Sequence, residues 1–216
     1  HKRHIRTISS NPGHCLWTGI VDADKAEMVT LRLLGGDMWS GWGIRTLSAK
    51  NPSFNPYSYQ NGAVWPHDNG IIALGFKRYG FAAEAAAVAH DVLRAASFFT
   101  LNQLPELYAG IPRDFTNFPV QYLGANVPQA WAAGSVFTLL QAMLGLQPDA
   151  PRRRLVVDPA LPDWMPSVTL RGLQLGEARL DLRFERDGAE TRFAVLGGDP
   201  QLVVTAADAA AAAAGA

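Results

Sequence analysis

Residues 61–80, NGAVWPHDNGIIALGFKRYG, pass without a break from a crowded polar and aromatic turn into an amphipathic helix. Pro66 suits a first helical turn and Gly80 suits a C-terminal stop, so the spacing predicts a helix from about Pro66 to Tyr79. One capping side chain would start such a helix, yet Trp65, His67, Asp68 and Asn69 all gather there. A helix start of this kind belongs either to ordinary capping or to a wall that faces a ligand.

Outward from this stretch, helices and long loops alternate. DADKAEMVTLRLL (22–34) predicts a helix with Asp22 as N-cap and Gly35-Gly36 as its end. Residues 37–61 are rich in Gly, Pro, Asn, Ser and aromatics, and a loop of that length inside a compact domain is usually functional or disordered. Trp39, Trp42, Phe54, Tyr57 and Tyr59 argue against disorder. A third helix is expected over Ala82–Phe99, then an aromatic loop over 100–128, then an apolar helix over about Gln129–Leu146. No Asp, Glu, Lys or Arg occurs between Phe115 and Pro148. A helix apolar on nearly all sides is buried or membrane-spanning, and interruption by Pro119, Gly124, Asn126 and Pro128 favours burial. Surface-type helices alternating with more apolar ones are the pattern of a two-layered helical toroid.

After Leu146 the period changes to two, most clearly at Leu180, Leu182 and Phe184 against Asp181, Arg183 and Glu185. Asp187-Gly188 reads as a two-residue hairpin turn. The expected organisation is helical over 1–148, an antiparallel β region over 149–205, and an Ala-rich tail over 206–216.

Composition narrows the function. The 216 residues are 48% hydrophobic and 18% charged, with 19 acidic and 19 basic side chains. Balanced charge without a basic block argues against nucleic acid or anionic membrane as partners and fits a neutral substrate. Cys15 is the single cysteine, so no internal disulfide forms and a cytoplasmic setting is expected. H-E-x-x-H, phosphate-loop and G-x-S-x-G patterns are absent, and neither a metal nor a cofactor is expected. The opening HKRHIRTISSNPGH reads as the interior of a longer protein; no signal peptide is visible and the oligomeric state is left open.

Candidate chemistry lies in the loops. Five of the six tryptophans fall between positions 17 and 131, several beside QNG and HDN, a mixture suited to sugars as well as to core filling. Glu106, in QLPELYAG, sits among apolar and aromatic neighbours, where desolvation would raise its pKa towards the range of a general acid or base. A loop glutamate or a helix cap is the other reading. Asp68 would be favoured at a helix N-terminus by the dipole whatever its further role. Arg45, in GWGIRTLS, is suited to bind a carboxylate or sugar hydroxyls, or to pin its loop.

SGWGIRTLS, NPYSYQNGAVWPHDNGIIALGFKRYG, LPELYAG and VPQAWAAGS, in this order, resemble the C-terminal part of bacterial amylo-alpha-1,6-glucosidase proteins of the glycogen-debranching type, within the six-hairpin glycosidase superfamily. The resemblance covers about residues 5–146. It implies a mainly α fold, the C-terminal part of an (α/α)6 barrel, with the helices at Pro66 and Gln129 inner and those at Asp22 and Ala82 outer. It also implies inverting, exo-acting hydrolysis of an α-glucoside such as an α-1,6 branch of a glucan, with Glu106 as general base and the general acid nearer the N-terminus. Trp42, Arg45, Tyr59, Asn61, Trp65, His67 and Asp68 would line the sugar pocket. Ala109 stands where a cysteine or another small residue is expected. Neighbouring specificities are mannosylglycerate or a trehalose-like disaccharide. A non-catalytic carbohydrate-binding or structural module is the reading from a different class, since four helices do not close a twelve-helix toroid.

Overall fold

A computed structural model describes residues 5–207, which fall into two compact units divided between Leu140 and Gln141. The Ala-rich segment from 208 onward lies outside the described residues.

In the first unit, α1 (Pro12–Thr18) was not expected, because seven residues are too few to show a helical period. Pro12 opens it, and Gly19, at φ 78°, closes it by donating its N–H to the Cys15 and Leu16 carbonyls. Next come α2 (Ala23–Leu33), α3 (Pro66–Arg78), α4 (Ala82–Ala96) and α5 (Ala130–Leu144), whose last turn passes the unit boundary, each within a few residues of expectation. Asp22 is the residue before α2, but its carboxylate pairs with Lys25 and makes no cap hydrogen bond.

The helix α3 lies between α1 and α4. Two glycines let α1 approach it. A Cβ at Gly13 would sit 2.5 Å from Ile72 Cγ1, and one at Gly75 would sit 2.9 Å from the Gly13 carbonyl oxygen. Around this contact Leu16, Ile72, Ala73 and Phe76 are fully buried, and Val88 and Val92 on α4 are too. By contrast α2 buries only Ala26, Thr30 and Leu33 and leaves Met28 and Leu31 exposed, which fits a surface-type helix. The expectation that α5 is buried on nearly all sides is corrected. Ala132, Ser135, Leu139, Ala142, Met143 and Leu144 are buried, while Trp131 and Phe137 are exposed, because within this chain only one face of α5 meets other elements. Among the described residues no helix is long and apolar enough to cross a membrane.

The second unit holds β1 (Gln147–Asp149), β2 (Arg154–Val157), β3 (Ser167–Leu175), β4 (Ala178–Asp187), β5 (Glu190–Gly198) and β6 (Val203–Ala206). One sheet is antiparallel in the order β3-β4-β5, and the period-two reading of β4 holds: Leu180, Leu182 and Phe184 face the core beside Leu155, Val157 and Leu161. Two details differ from expectation. The other sheet, β1-β2-β6, is mixed, since β6 returns to pair parallel with β2 after the long excursion through β3–β5 that a parallel pair requires. In the hairpin, Asp187 pairs with Glu190, so the turn residues are Gly188 and Ala189, with Gly188 at φ 62° supplying the positive torsion.

Candidate active site

Four irregular segments are sewn together by single backbone bridges, Arg45 to Val64, Val64 to Tyr108, and Tyr108 to Gln121. Val64 and Tyr108 exchange both amide hydrogen bonds, at 2.9 and 3.0 Å. The ladder continues where Thr46 donates to the Ala63 carbonyl and Ala109 donates to the Val120 carbonyl, at 3.0 and 2.7 Å. The crossing is tight enough to require glycine: a Cβ at Gly110 would sit 1.8 Å from the Gly62 carbonyl oxygen. Both long loops therefore become a rigid platform beside the start of α3.

Asn69 joins that platform to the helix. Fully buried, it accepts from the Ile44 N–H at 2.7 Å and donates through Nδ2 to the Ile44 and Trp65 carbonyls at 3.1 and 3.0 Å. Its amide pairs the Ile44 N–H and carbonyl, and adds a second donor to the Trp65 carbonyl that already accepts the Asn69 backbone N–H. One member of the crowded turn thus has a structural task.

The other members face a cavity of 440 Å³, whose wall includes Tyr59, Trp65, His67, Asp68 and Trp131, with Ser9, Ser10, Asn11 and Gln60 supplying further polar groups. Trp65 donates its indole N–H to the Tyr59 carbonyl at 3.0 Å, and the two rings meet edge to face at 4.8 Å. The His67 ring stacks on Trp131 at 4.0 Å with 5° between the planes. Burial pushes the His67 pKa down, so the imidazole is neutral at neutral pH, and its Nδ1 is buried without a partner. Asp68 gives Oδ1 to His14 Nε2 at 2.5 Å, while Oδ2 is buried and unpartnered.

Behind Tyr59 lies Glu106, 4% exposed. The Tyr59 hydroxyl donates to Oε1 at 2.5 Å, and Asn126 donates to Oε2 from its backbone N–H at 3.2 Å and its side-chain amide at 3.0 Å. The expected rise in pKa is corrected: hydrogen bonds from Tyr59 first, opposed by burial and reinforced by Asn126 and Gln129, hold the carboxyl below its ordinary range. Donors to the charged form outweigh desolvation. An ionised, fixed carboxylate is suited to accept a proton from water and unsuited to donate one.

Tyr59, Trp65, His67 and Asp68 are therefore brought to one cavity, with Glu106 reached through Tyr59. Trp42, Arg45 and Asn61 are not among the residues lining it. Trp42 is buried between the edge of Phe98 and the Arg113 guanidinium, 5.4 and 5.2 Å from its ring. Arg45, 2% exposed, donates to the Gly110 carbonyl at 2.6 Å and the Gly36 carbonyl at 3.1 Å, the geometry of a loop pin. Asn61 is exposed, and its carbonyl accepts from the Asn55 N–H. Sequence reasoning missed His14, Asn126 and Trp131. His14 lies 54 residues from Asp68, inside an α1 too short to show in the sequence; Trp131 was visible in VPQAWAAGS, already singled out. Among the described residues, no group of three His, Cys, Asp or Glu side chains is placed to hold a metal ion.

Residues 2–106 match the family model of the mannosylglycerate hydrolase MGH1-like glycoside hydrolase domain. In structure the chain is similar to the GH63 mannosylglycerate hydrolase of Thermus thermophilus in complex with glucose, at 22% identity and a TM-score of 0.52, over 65% of this chain and 31% of that one. The helical unit has part of a six-hairpin glycosidase fold. The same hydrolase in complex with Tris aligns at 21% identity and a TM-score of 0.48, over 62% of this chain and 30% of that one. No curated protein matches the chain. The chain spans about a third of the length of these structures, and neither comparison singles out amylo-alpha-1,6-glucosidase.

Proposed function

We propose that this chain is the base-bearing part of an inverting glycoside hydrolase acting on a small α-glycoside. The observation that carries the reading is Glu106: a buried carboxylate, kept ionised by three hydrogen bonds from Tyr59 and Asn126, next to an aromatic and polar cavity of sugar size. In an inverting reaction such a carboxylate takes a proton from the attacking water while an acid about 6.5–9.5 Å away protonates the leaving oxygen. Glu106 is the base; Tyr59 and Asn126 fix its two oxygens. Trp65, His67 and Asp68 contact the sugar, and Arg45 and Trp42 underpin the loop that carries the wall. The acid comes from the part of the protein that this chain does not span.

The similarity over residues 2–106 favours a mannosylglycerate-type substrate; an α-1,6-glucan is the second reading, favoured by the four sequence motifs quoted above. Hydrolysis assays of the intact protein on mannosylglycerate, isomaltose, limit dextrin and trehalose separate these, and proton NMR of the first-formed anomer reads the stereochemistry. Release of the α-anomer first from an α-substrate would sink the inverting mechanism. Activity on none of the four would sink the substrate class.

A further inference from the structure

We propose that His14 is a positioning residue: in its protonated form it locks Asp68, and through the first turn of α3 it sets the His67–Trp131 stack that walls the cavity. Its effect on ligand rests on the glycoside reading above, whereas the lock itself does not.

The geometry runs across three helices. On α1, Gly13 is pressed against Ile72 of α3, so the backbone next to His14 has one position relative to α3. From there Nε2 reaches Asp68 Oδ1 at 2.5 Å. Asp68 is adjacent in the chain to His67, whose ring lies flat on Trp131 of α5. A change in how Asp68 is held is a change in the helical turn that carries His67.

Charge makes the lock titratable. Of the groups on α3, Asp68 faces His14 and His67 lies beside it, while Lys77 and Arg78 are about 13 Å or more along the axis from Asp68. On α2, Asp22 pairs with Lys25 and Arg32 pairs with Asp37. The α5 helix carries no ionisable side chain, and the remaining nearby charge is Glu106, behind the Tyr59 wall, whose field reaches His67. The hydrogen bond that His14 donates to Asp68, opposed by burial and aided by the Asp68 charge, raises the His14 pKa, while burial lowers that of His67. Two neighbouring histidines are thereby pushed apart, and the proton resides on His14. Because the folded value of His14 is raised, the lock is complete below the ordinary histidine range and is lost as pH rises through the raised value.

The test is an NMR titration of the chain from about pH 5.5 to 9, spanning the ordinary histidine value. In the wild type, His14 is expected to titrate above its ordinary value, and the Trp131 indole and His67 ring signals to move with the same midpoint. Asp68→Asn lowers the His14 midpoint, and His14→Gln, which keeps a donor and loses the charge, abolishes the pH-dependent movement of Trp131. Trp131 signals that ignore the His14 midpoint in the wild type, or that move unchanged in a folded His14→Gln variant, overturn the proposal. If that variant fails to fold, the wild-type titration alone decides between these outcomes. Quenching of tryptophan fluorescence by methyl α-mannopyranoside or methyl α-glucopyranoside reads the consequence: affinity falls ~5-fold or more across the His14 midpoint and is flat in His14→Gln. No quenching by either sugar, with Trp131 still following His14, sinks the glycoside reading and leaves the lock standing.

Discussion

Glu106 in the loop before the Val64–Tyr108 bridge and Asp91 on α4 are equally hidden from solvent, at 4% exposure each, but Asp91 lies deeper among protein atoms, and their environments act in opposite directions. Glu106 receives neutral donors from Tyr59 and Asn126 and is held below its ordinary range. Asp91 accepts from the Trp39 indole at 2.7 Å, from Arg113 at 3.1 Å and from His90 at 3.2 Å, yet burial outweighs them all and pushes its pKa up. The number of partners does not decide the sign; the balance between donors and lost solvent does. One carboxylate is poised to take a proton, and the other ties the Trp39 loop and Arg113 to a helix.

The comparison can be broken by substitution. Glu106→Gln in the intact protein should cut hydrolysis by ~10²–10⁴-fold with the melting temperature nearly unchanged; retention of activity within a few-fold would remove Glu106 from the base position. Asp91→Ala should do the reverse, costing about 1–3 kcal/mol in denaturant unfolding because Trp39 and Arg113 lose their acceptor, with activity of the remaining folded enzyme within a few-fold. A loss of activity matching that of Glu106→Gln would erase the distinction between the two regions. Tyr59→Phe removes the first donor to Glu106, so the acidic limb of the kcat/KM profile should move to higher pH with a fall of about tenfold; an unmoved limb would show that Tyr59 does not set this carboxyl.

The smallest effect is on stability against pH. A depressed carboxyl such as Glu106 contributes stability that is lost as pH falls through its folded value, whereas the raised Asp91 makes stability fall as pH rises from the ordinary carboxylate value to its raised one. Glu106→Gln should therefore flatten acid unfolding, and Asp91→Asn should steepen it. Equal slopes in the two variants, measured by urea unfolding between about pH 3 and 6, would contradict the opposed directions.

Much of this was legible in the residues, for physical reasons that differ by element. The helices α2 to α5 declare themselves through Pro, Gly and apolar spacing, and β4 through strict alternation. Short α1 carries too little period, and the parallel β2–β6 pair joins segments almost fifty residues apart. At the site, Tyr59, Trp65, His67 and Asp68 converge because they flank one helix start. Arg45 and Trp42 belong to the same motifs but are turned to backbone carbonyls and to Arg113, and composition carries no sign of which way a side chain points. The direction of the Glu106 shift was unreadable because its donors are remote in sequence, Tyr59 forty-seven residues away and Asn126, two of whose groups lie on Oε2, twenty.

The Val64–Tyr108 bridge has a consequence for adaptability. Trp65 is one residue from one side of it and Glu106 two residues from the other, so the cavity wall and the buried carboxylate ride on a single strut. The exposed turn at Asp114–Asn117 hangs beyond the closing bond from Ala109 to Val120. Residues inserted at that turn should leave the spacing of Trp65 and Glu106 unchanged, which makes it a place where the loop can vary at little risk to the chemistry. An insertion that changed the Glu106 acidic limb would show the strut to be weaker than its hydrogen bonds suggest.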